Sequence, residues 1–186
     1  AALWAASIPA DDAVRSYLAA RGLAQWPVPA CIRQHPGLAY WHADDNGELH
    51  MLGRYPAMLA PIVSGGKLLA IHRTYLGDGC KADVPTPKKL TAAAGPLVGA
   101  CIPLAAPHGG VLGIAEGIET AAAASLGSGL PVVAAYCANA LAGFALPRGI
   151  ERLVIFADHD PAGQQAAATL AQRATRARLT SKTSTP

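Results

Sequence analysis

Two apolar segments of this chain each run into carboxylates. Val111-Leu-Gly-Ile-Ala leads into Glu116-Gly117-Ile-Glu119-Thr120, and Leu153-Val-Ile-Phe-Ala leads into Asp158-His159-Asp160-Pro-Ala-Gly163. If both segments are strands of one parallel sheet, their carboxyl ends open onto a common edge, and ligands bind in the crevice outside such ends. Glu116 and the Asp158/Asp160 pair then converge although they lie far apart in sequence. Three carboxylates at one edge repel one another unless a cation sits between them, and an all-oxygen donor set with retained waters suits Mg²⁺ or Mn²⁺. An ion so held can bridge to phosphate oxygens, orient them and neutralise the charge that develops in an in-line displacement. Gly117 and Gly163 each fall where a strand gives way to a helix, and a side chain there would keep a phosphate or a metal-bound water away from the backbone. Taken singly, each half has an ordinary explanation: a glutamate favoured by a helix dipole, or an Asx-turn or N-cap. It is the two together, each between a strand and a helix, that point to a metal site.

The elements that would position these groups follow from periodicity. From Val111 onward the pattern reads strand, helix (about 117–126), strand (131–136), helix (138–144), strand (152–157), helix (161–176). Such alternation predicts a parallel sheet with right-handed crossovers. Pro161 suits the first turn of the last helix, where a missing N–H costs nothing. After Arg178 the tail is polar and is expected to fray. Upstream, Asp11-Asp12 and Gly22 bracket an amphipathic helix whose apolar face carries Val14, Tyr17 and Leu18. Leu38–His42 and Glu48–Leu52 flank the turn signal Asp44-Asp45-Asn46-Gly47, and Ala57–Val63 and Lys67–Tyr75 flank Ser64-Gly65-Gly66, which predicts two hairpins. Residues 77–97 turn polar with little periodicity, and 98–104 is expected to resume an apolar strand. The N-terminal half is therefore α+β.

Strand-Glu-Gly, a βα unit, then strand-Asp-x-Asp-x-x-Gly resembles the Toprim domain shared by bacterial-type primases, type IA and type II topoisomerases and some nucleases. The resemblance covers about Leu112 to Arg176. It implies that Glu116 acts as general acid or base while Asp158 and Asp160 hold the metal. Replicative primases tend to carry an Asp four residues after the Glu, where this chain has Thr120; Glu119, one position earlier, reads as a solvated or capping residue. Toprim domains usually add a further strand after the last helix. Only Ala177 to Thr180 could supply it, which leaves a domain cut short or a sheet edge completed from outside the chain.

The chain has 186 residues, is 52% hydrophobic and 15% charged, and carries a net charge of +3. It is globular by composition, and so small a charge makes any nucleic-acid role depend on local clustering of Lys and Arg. Cys31, Cys80, Cys101 and Cys137 are widely spaced without a Cys-x-x-Cys pair, which argues against a zinc ribbon and for reduced thiols. No signal pattern opens the chain and no stretch reads as a membrane span, so a cytoplasmic location without membrane contact is expected.

A template needs cations for its backbone. Arg73, Lys81, Lys88 and Lys89 are the candidates, and their order resembles the basic subdomain that precedes the Toprim fold in bacterial primases; a solvated loop with scattered lysines is the rival reading. His72 reads as a strand-surface residue, and His159, between the aspartates, would point to the opposite face of a regular strand. Trp4, Trp26 and Trp41 could stack on bases, but packing is the commoner fate of tryptophan. Arg21-Gly22-Leu23 and Arg33 resemble the N-terminal segment of primase-like proteins of phages, plasmids and mobile elements, where a Toprim core stands beside a zinc-binding region and a helicase. The expected molecule is thus α/β: a Toprim-type parallel sheet with flanking helices over residues 107–186, preceded by a smaller α+β basic subdomain over 1–106. Its expected function in DNA replication is Mg²⁺-dependent nucleotidyl transfer, joining nucleoside triphosphates into primers on a single-stranded DNA template. A Toprim nuclease and a non-catalytic nucleic-acid-binding module remain as alternatives.

Overall fold

The structure is a computed structural model that describes residues 2–184. Two compact units are distinguished, Ala1–Ala60 with Ile71–Ala92 and Pro61–Ala70 with Ala93–Pro186.

The first unit contains α1 (Ala2–Ala5), β1 (Ile8–Pro9), α2 (Asp12–Ala20), β2 (Arg33–Ala43), β5 (Lys88–Leu90) and most of β3 (Leu49–Ser64) and β4 (Lys67–Tyr75), in a sheet of order β1-β2-β3-β4-β5. Helix α2 buries Val14, Tyr17 and Leu18, as its spacing dictates. Its end is a Schellman turn: Leu23 N–H reaches Leu18 O at 2.9 Å, Gly22 N–H reaches Ala19 O at 2.9 Å, and Gly22 takes φ +74°. The two hairpins expected from sequence share one uninterrupted 16-residue strand, β3, because nothing in Gly53-Arg-Tyr-Pro56 turns the chain. Strands β2, β3 and β4 supply Tyr40, Ala57, Leu59, Ile71 and Tyr75 to a buried cluster that Ala82 of the following segment joins. The segment 77–97, read from sequence as aperiodic, contributes β5, whose Lys88, Lys89 and Leu90 face Thr74, Arg73 and His72. His72 is buried and not on the strand surface as expected.

The second unit holds a parallel sheet of order β7-β6-β8-β9, formed by β6 (Val111–Ala115), β7 (Val132–Ala134), β8 (Arg152–Phe156) and β9 (Thr180–Ser184). Its helices are α3 (Ile118–Ser128), α4 (Ala138–Gly143) and α5 (Pro161–Arg176). Leu112, Ile114, Leu153 and Ile155 pack with Leu141 of α4, Phe144 just beyond its end, and Ala167 and Leu170 of α5. The alternate residues, Gly113, Ala115, Val154 and Phe156, belong to the other face, and they too are buried, as in parallel strands covered on both sides. Gly113 is required there: a Cβ would sit 2.8 Å from Val132 Cγ2 and 3.1 Å from Phe156 Cε2.

Two expectations are corrected here. The segment 98–104 forms no strand; it makes single bridges, Val63 to Cys101 and Ile102 to Ala134, and Pro103 withholds the next donor. The tail after Arg178 does not fray through residue 184. It forms β9, parallel to β8 with Arg152 opposite Thr180 and Phe156 opposite Ser184, so the strand that sequence left missing is present. Helix α5 turns into it through a second Schellman arrangement, Leu179 N–H to Ala174 O at 3.0 Å and Arg178 N–H to Thr175 O at 2.9 Å, with Arg178 at φ +61°. A left-handed arginine carries a steric cost that glycine avoids. Arg178→Gly is therefore expected to stabilise the chain by about 1 kcal/mol and to raise Tm by about 2–4 °C, read by thermal unfolding.

Candidate metal centre

Strands β6 and β8 are parallel neighbours whose register ends at Ala115 opposite Phe156. The next residues are Glu116 and Ala157, and Asp158 follows, so both carboxylate-bearing turns leave the sheet at one edge, across a spacing of about 4.8 Å between strand backbones. Glu116 is half-buried, with Oε2 screened from solvent. Its carbonyl accepts the Tyr136 N–H at 2.7 Å, which ties the end of β7 to the same edge. Tyr136 does this at φ +76°, a conformation that costs a side-chain-bearing residue free energy and that clusters at functional sites.

Asp158 is half-buried and Asp160 exposed. Asp160 caps α5, its Oδ1 accepting the Gly163 N–H at 2.7 Å, with Pro161 at the first turn as expected. Asp158 Oδ1 accepts the Thr120 hydroxyl at 3.2 Å, and its carbonyl accepts Gln164 Nε2 at 2.8 Å. Thr120, in the first turn of α3, thus spans from the Glu116 turn to the Asp158 turn. From sequence it appeared only as a departure from the primase pattern; its place one helical turn after Glu116 was the signal that it faces the same edge. Tyr136 and Gln164 gave no such signal.

The glycines serve the site differently from each other. Gly117 caps α3 in extended conformation, and a Cβ there would lie 3.4 Å from Glu119 Oε2. Gly163 is buried, and its missing Cβ would point inward, 3.3 Å from Asp158 O and 3.4 Å from Asp160 Oδ1. Glycine at 163 lets the helix start close beneath the aspartate turn and does not clear space on the solvent side. His159 is exposed in the bend beyond β8, where strand alternation no longer applies.

Glu116, Asp158, Asp160 and the Thr120 hydroxyl offer oxygen donors on the turns at this edge, a chemistry that suits Mg²⁺ or Mn²⁺ with retained waters. Among the described residues, the trio whose ligand atoms all lie within 4.8 Å of one another is elsewhere, at Asp44, Glu48 and His50. The carboxylates at the sheet edge are therefore not drawn that tightly together. Thr120→Val keeps the shape and removes the bond to Asp158. It is expected to weaken Mg²⁺ binding by about 10-fold, the lower end for an outer partner of a metal ligand, with Thr120→Ser retaining affinity in a calorimetric titration.

The basic residues singled out from sequence all fall in the first unit. Arg73 donates to Leu90 O at 2.6 Å and to the Tyr75 hydroxyl at 3.4 Å. The Lys89 ammonium bonds Trp41 O and stands 4.1 Å from the Tyr40 ring centroid. Both cations are thus partly engaged within the fold; Lys81 and Lys88 are half-buried. Trp26 is buried and Trp4 lies under Arg33, but Trp41 is half exposed, contrary to the expectation that the tryptophans pack.

Residues 1–101 match the family described as Domain of unknown function (DUF7146), and residues 111–185 match the family described as Toprim domain. In structure the chain is similar to the primase fragment of the bacteriophage T7 primase-helicase protein, with TM-score 0.51 and 14% identity over 91% of this chain and 59% of that one. It is also similar to the DnaG primase catalytic domain bound to ssDNA, with TM-score 0.55 and 17% identity over 92% of this chain and 64% of that one. The chain thus spans about three fifths of the length of these structures, and at such identities the likeness is one of fold. No curated protein matches it in sequence. The α/β fold and the Toprim domain expected from the sequence are borne out, and the fold is that of the primase structures. No helix among the described residues is long and apolar enough to cross a membrane.

Proposed function

The chain belongs to the family of the domain of unknown function DUF7146, and from that premise, with a Toprim domain following it, we propose that it is the catalytic core of a primase-like nucleotidyltransferase. It joins nucleoside triphosphates on a single-stranded DNA template. The observation that carries this reading is the register of β6 on β8, which brings the Glu116 turn and the Asp158–Asp160 turn to one sheet edge.

Asp158 and Asp160 would hold Mg²⁺ or Mn²⁺ there, and Glu116 would either complete the set or take the proton from the attacking hydroxyl. When bound, the ion supplies charge neutralisation on the transferring phosphate. The chain's own contribution is positional: α5 is capped by Asp160, which fixes that carboxylate, and the Thr120 hydroxyl orients Asp158. Lys81, Lys88, Lys89 and Arg73 track template or nucleotide phosphates, as far as their internal bonds leave donors over. A zinc-binding region and a helicase would lie outside these residues. The likeness in fold to a primase catalytic domain bound to ssDNA supports single-stranded DNA as the template.

The test is incubation of labelled single-stranded DNA with Mg²⁺ or Mn²⁺, with and without nucleotides. Extension that requires both metal and nucleotide is expected. Shortening of the DNA without nucleotides would show a nuclease instead, and neither product, with DNA binding indifferent to metal, would leave a binding module.

A further inference from the structure

The arms of the β2–β3 hairpin run well beyond the rest of the sheet. Strand β4 ends at Tyr75, and the next residue, Leu76, donates to Pro56 O at 2.8 Å, so residues 49–55 of β3 lie past its reach. At the other side β1 pairs only Ile8 and Pro9 with Gln34 and Arg33. What projects is a two-stranded ribbon, a form only marginally stable in water by itself.

Its register sorts the side chains. Tyr40 is fully buried opposite Gly53, and a bulge follows, because the next pair is Trp41 with Met51. The face opposite Tyr40 therefore carries the pairs Ala39/Arg54, Trp41/Met51 and Ala43/Leu49. Trp41 and Met51 are each 50% exposed and Leu49 67%. Of these six residues Arg54 is the charged one; it is exposed and anchored through Nη1 to Gly37 O at 3.2 Å. The acids of the hairpin are confined to the turn, where Asp44 accepts the Asn46 and Glu48 N–H groups at 2.9 Å each and pairs with His50 at 3.1 Å.

An exposed indole beside a guanidinium on one strand-paired face is what a nucleotide of an unpaired strand requires: a flat ring for the base and a cation for the phosphate. Resting on the nucleic-acid reading above, we infer that the outer face of this ribbon is a contact site for single-stranded nucleic acid, with a base stacked on Trp41 and a phosphate at Arg54. Neither residue belongs to the metal edge or to the basic set named above, and Trp41 is the tryptophan that the core does not use.

The test is fluorescence anisotropy of a labelled oligothymidylate with the full chain and its Trp41→Ala, Trp41→Phe and Arg54→Ala variants, their folds checked by circular dichroism. Trp41→Ala should weaken binding about tenfold, the size of one lost base-stacking contact, and Trp41→Phe should restore most of it. Arg54→Ala should flatten the slope of log K against log salt by about 0.7, one phosphate contact on a single strand. Variants that bind like the parent with an unchanged slope would overturn the site and leave the proposed function standing. A parent chain that binds no oligothymidylate would overturn both. A parent dimer that Trp41→Ala dissociates without loss of DNA binding would assign the face to a second copy and end the proposal.

Discussion

Replacing Asp160 by asparagine is expected to cut metal-dependent primer synthesis by more than about 100-fold, beyond what outer partners of a metal site contribute, while leaving the fold as stable as before. The two jobs of this residue separate cleanly. As N-cap of α5 it supplies one oxygen to the Gly163 N–H at 2.7 Å, and asparagine caps about as well as aspartate. As a metal ligand it supplies charge, which asparagine lacks. Asp160→Ala removes both and should lose about 1 kcal/mol of stability in addition. Asp158→Asn is the companion variant, since its remaining side-chain oxygen can still accept the Thr120 hydroxyl. Synthesis rates for the variants, set beside their urea midpoints, decide the matter: full activity of both asparagine variants in Mg²⁺ would remove the aspartate turn from the chemistry.

The parallel unit was legible because each of its signals has a local cause. Strands buried on both faces are continuous apolar runs, and α5 announces itself with Asp160 as cap and Pro161 in its first turn. Strand β9 was not legible for the complementary reason. Its residues are polar, as an outer strand tolerates, and the turn before it is taken by Arg178 in the left-handed region, where a reader of sequence looks for glycine. The continuity of β3 was hidden by Pro56, which ordinarily argues against a strand interior, yet Pro56 accepts a bond through its carbonyl from Leu76. At the candidate site the carboxylates could be read from spacing, but Tyr136 and Gln164 could not: Tyr136 reaches the site through its backbone N–H, which leaves no mark in residue type, and the Gln164 side-chain amide bonds a backbone carbonyl, which no motif announces. Trp41 was misjudged on residue type: whether a tryptophan packs depends on the face it takes, and alternation with the buried Tyr40 turns it outward, while the bulge in β3 only brings Met51 opposite it.

Tyr40→Ala is expected to destabilise the chain by about 3–5 kcal/mol, as large aromatic truncations in cores do, and Tyr40→Phe by only about 1 kcal/mol. Tyr40 is fully buried; its ring meets Tyr75 edge-on at 4.9 Å and Tyr55 at 6.3 Å, and the Lys89 ammonium lies 4.1 Å from its centroid. Phenylalanine keeps all of these contacts and loses the hydroxyl that accepts the Thr86 N–H at 3.0 Å. Alanine loses every one and opens a cavity where β2, β4 and the segment around β5 meet. The consequence extends along the strand. Tyr40 and Trp41 are neighbours on β2, so the inward grip on one ring is what turns the other outward. Tyr40→Phe should therefore keep the affinity for oligothymidylate, while Tyr40→Ala should lose it together with the urea midpoint. An alanine variant with the parent's midpoint would mean that the tyrosine cluster does not hold the ribbon's root.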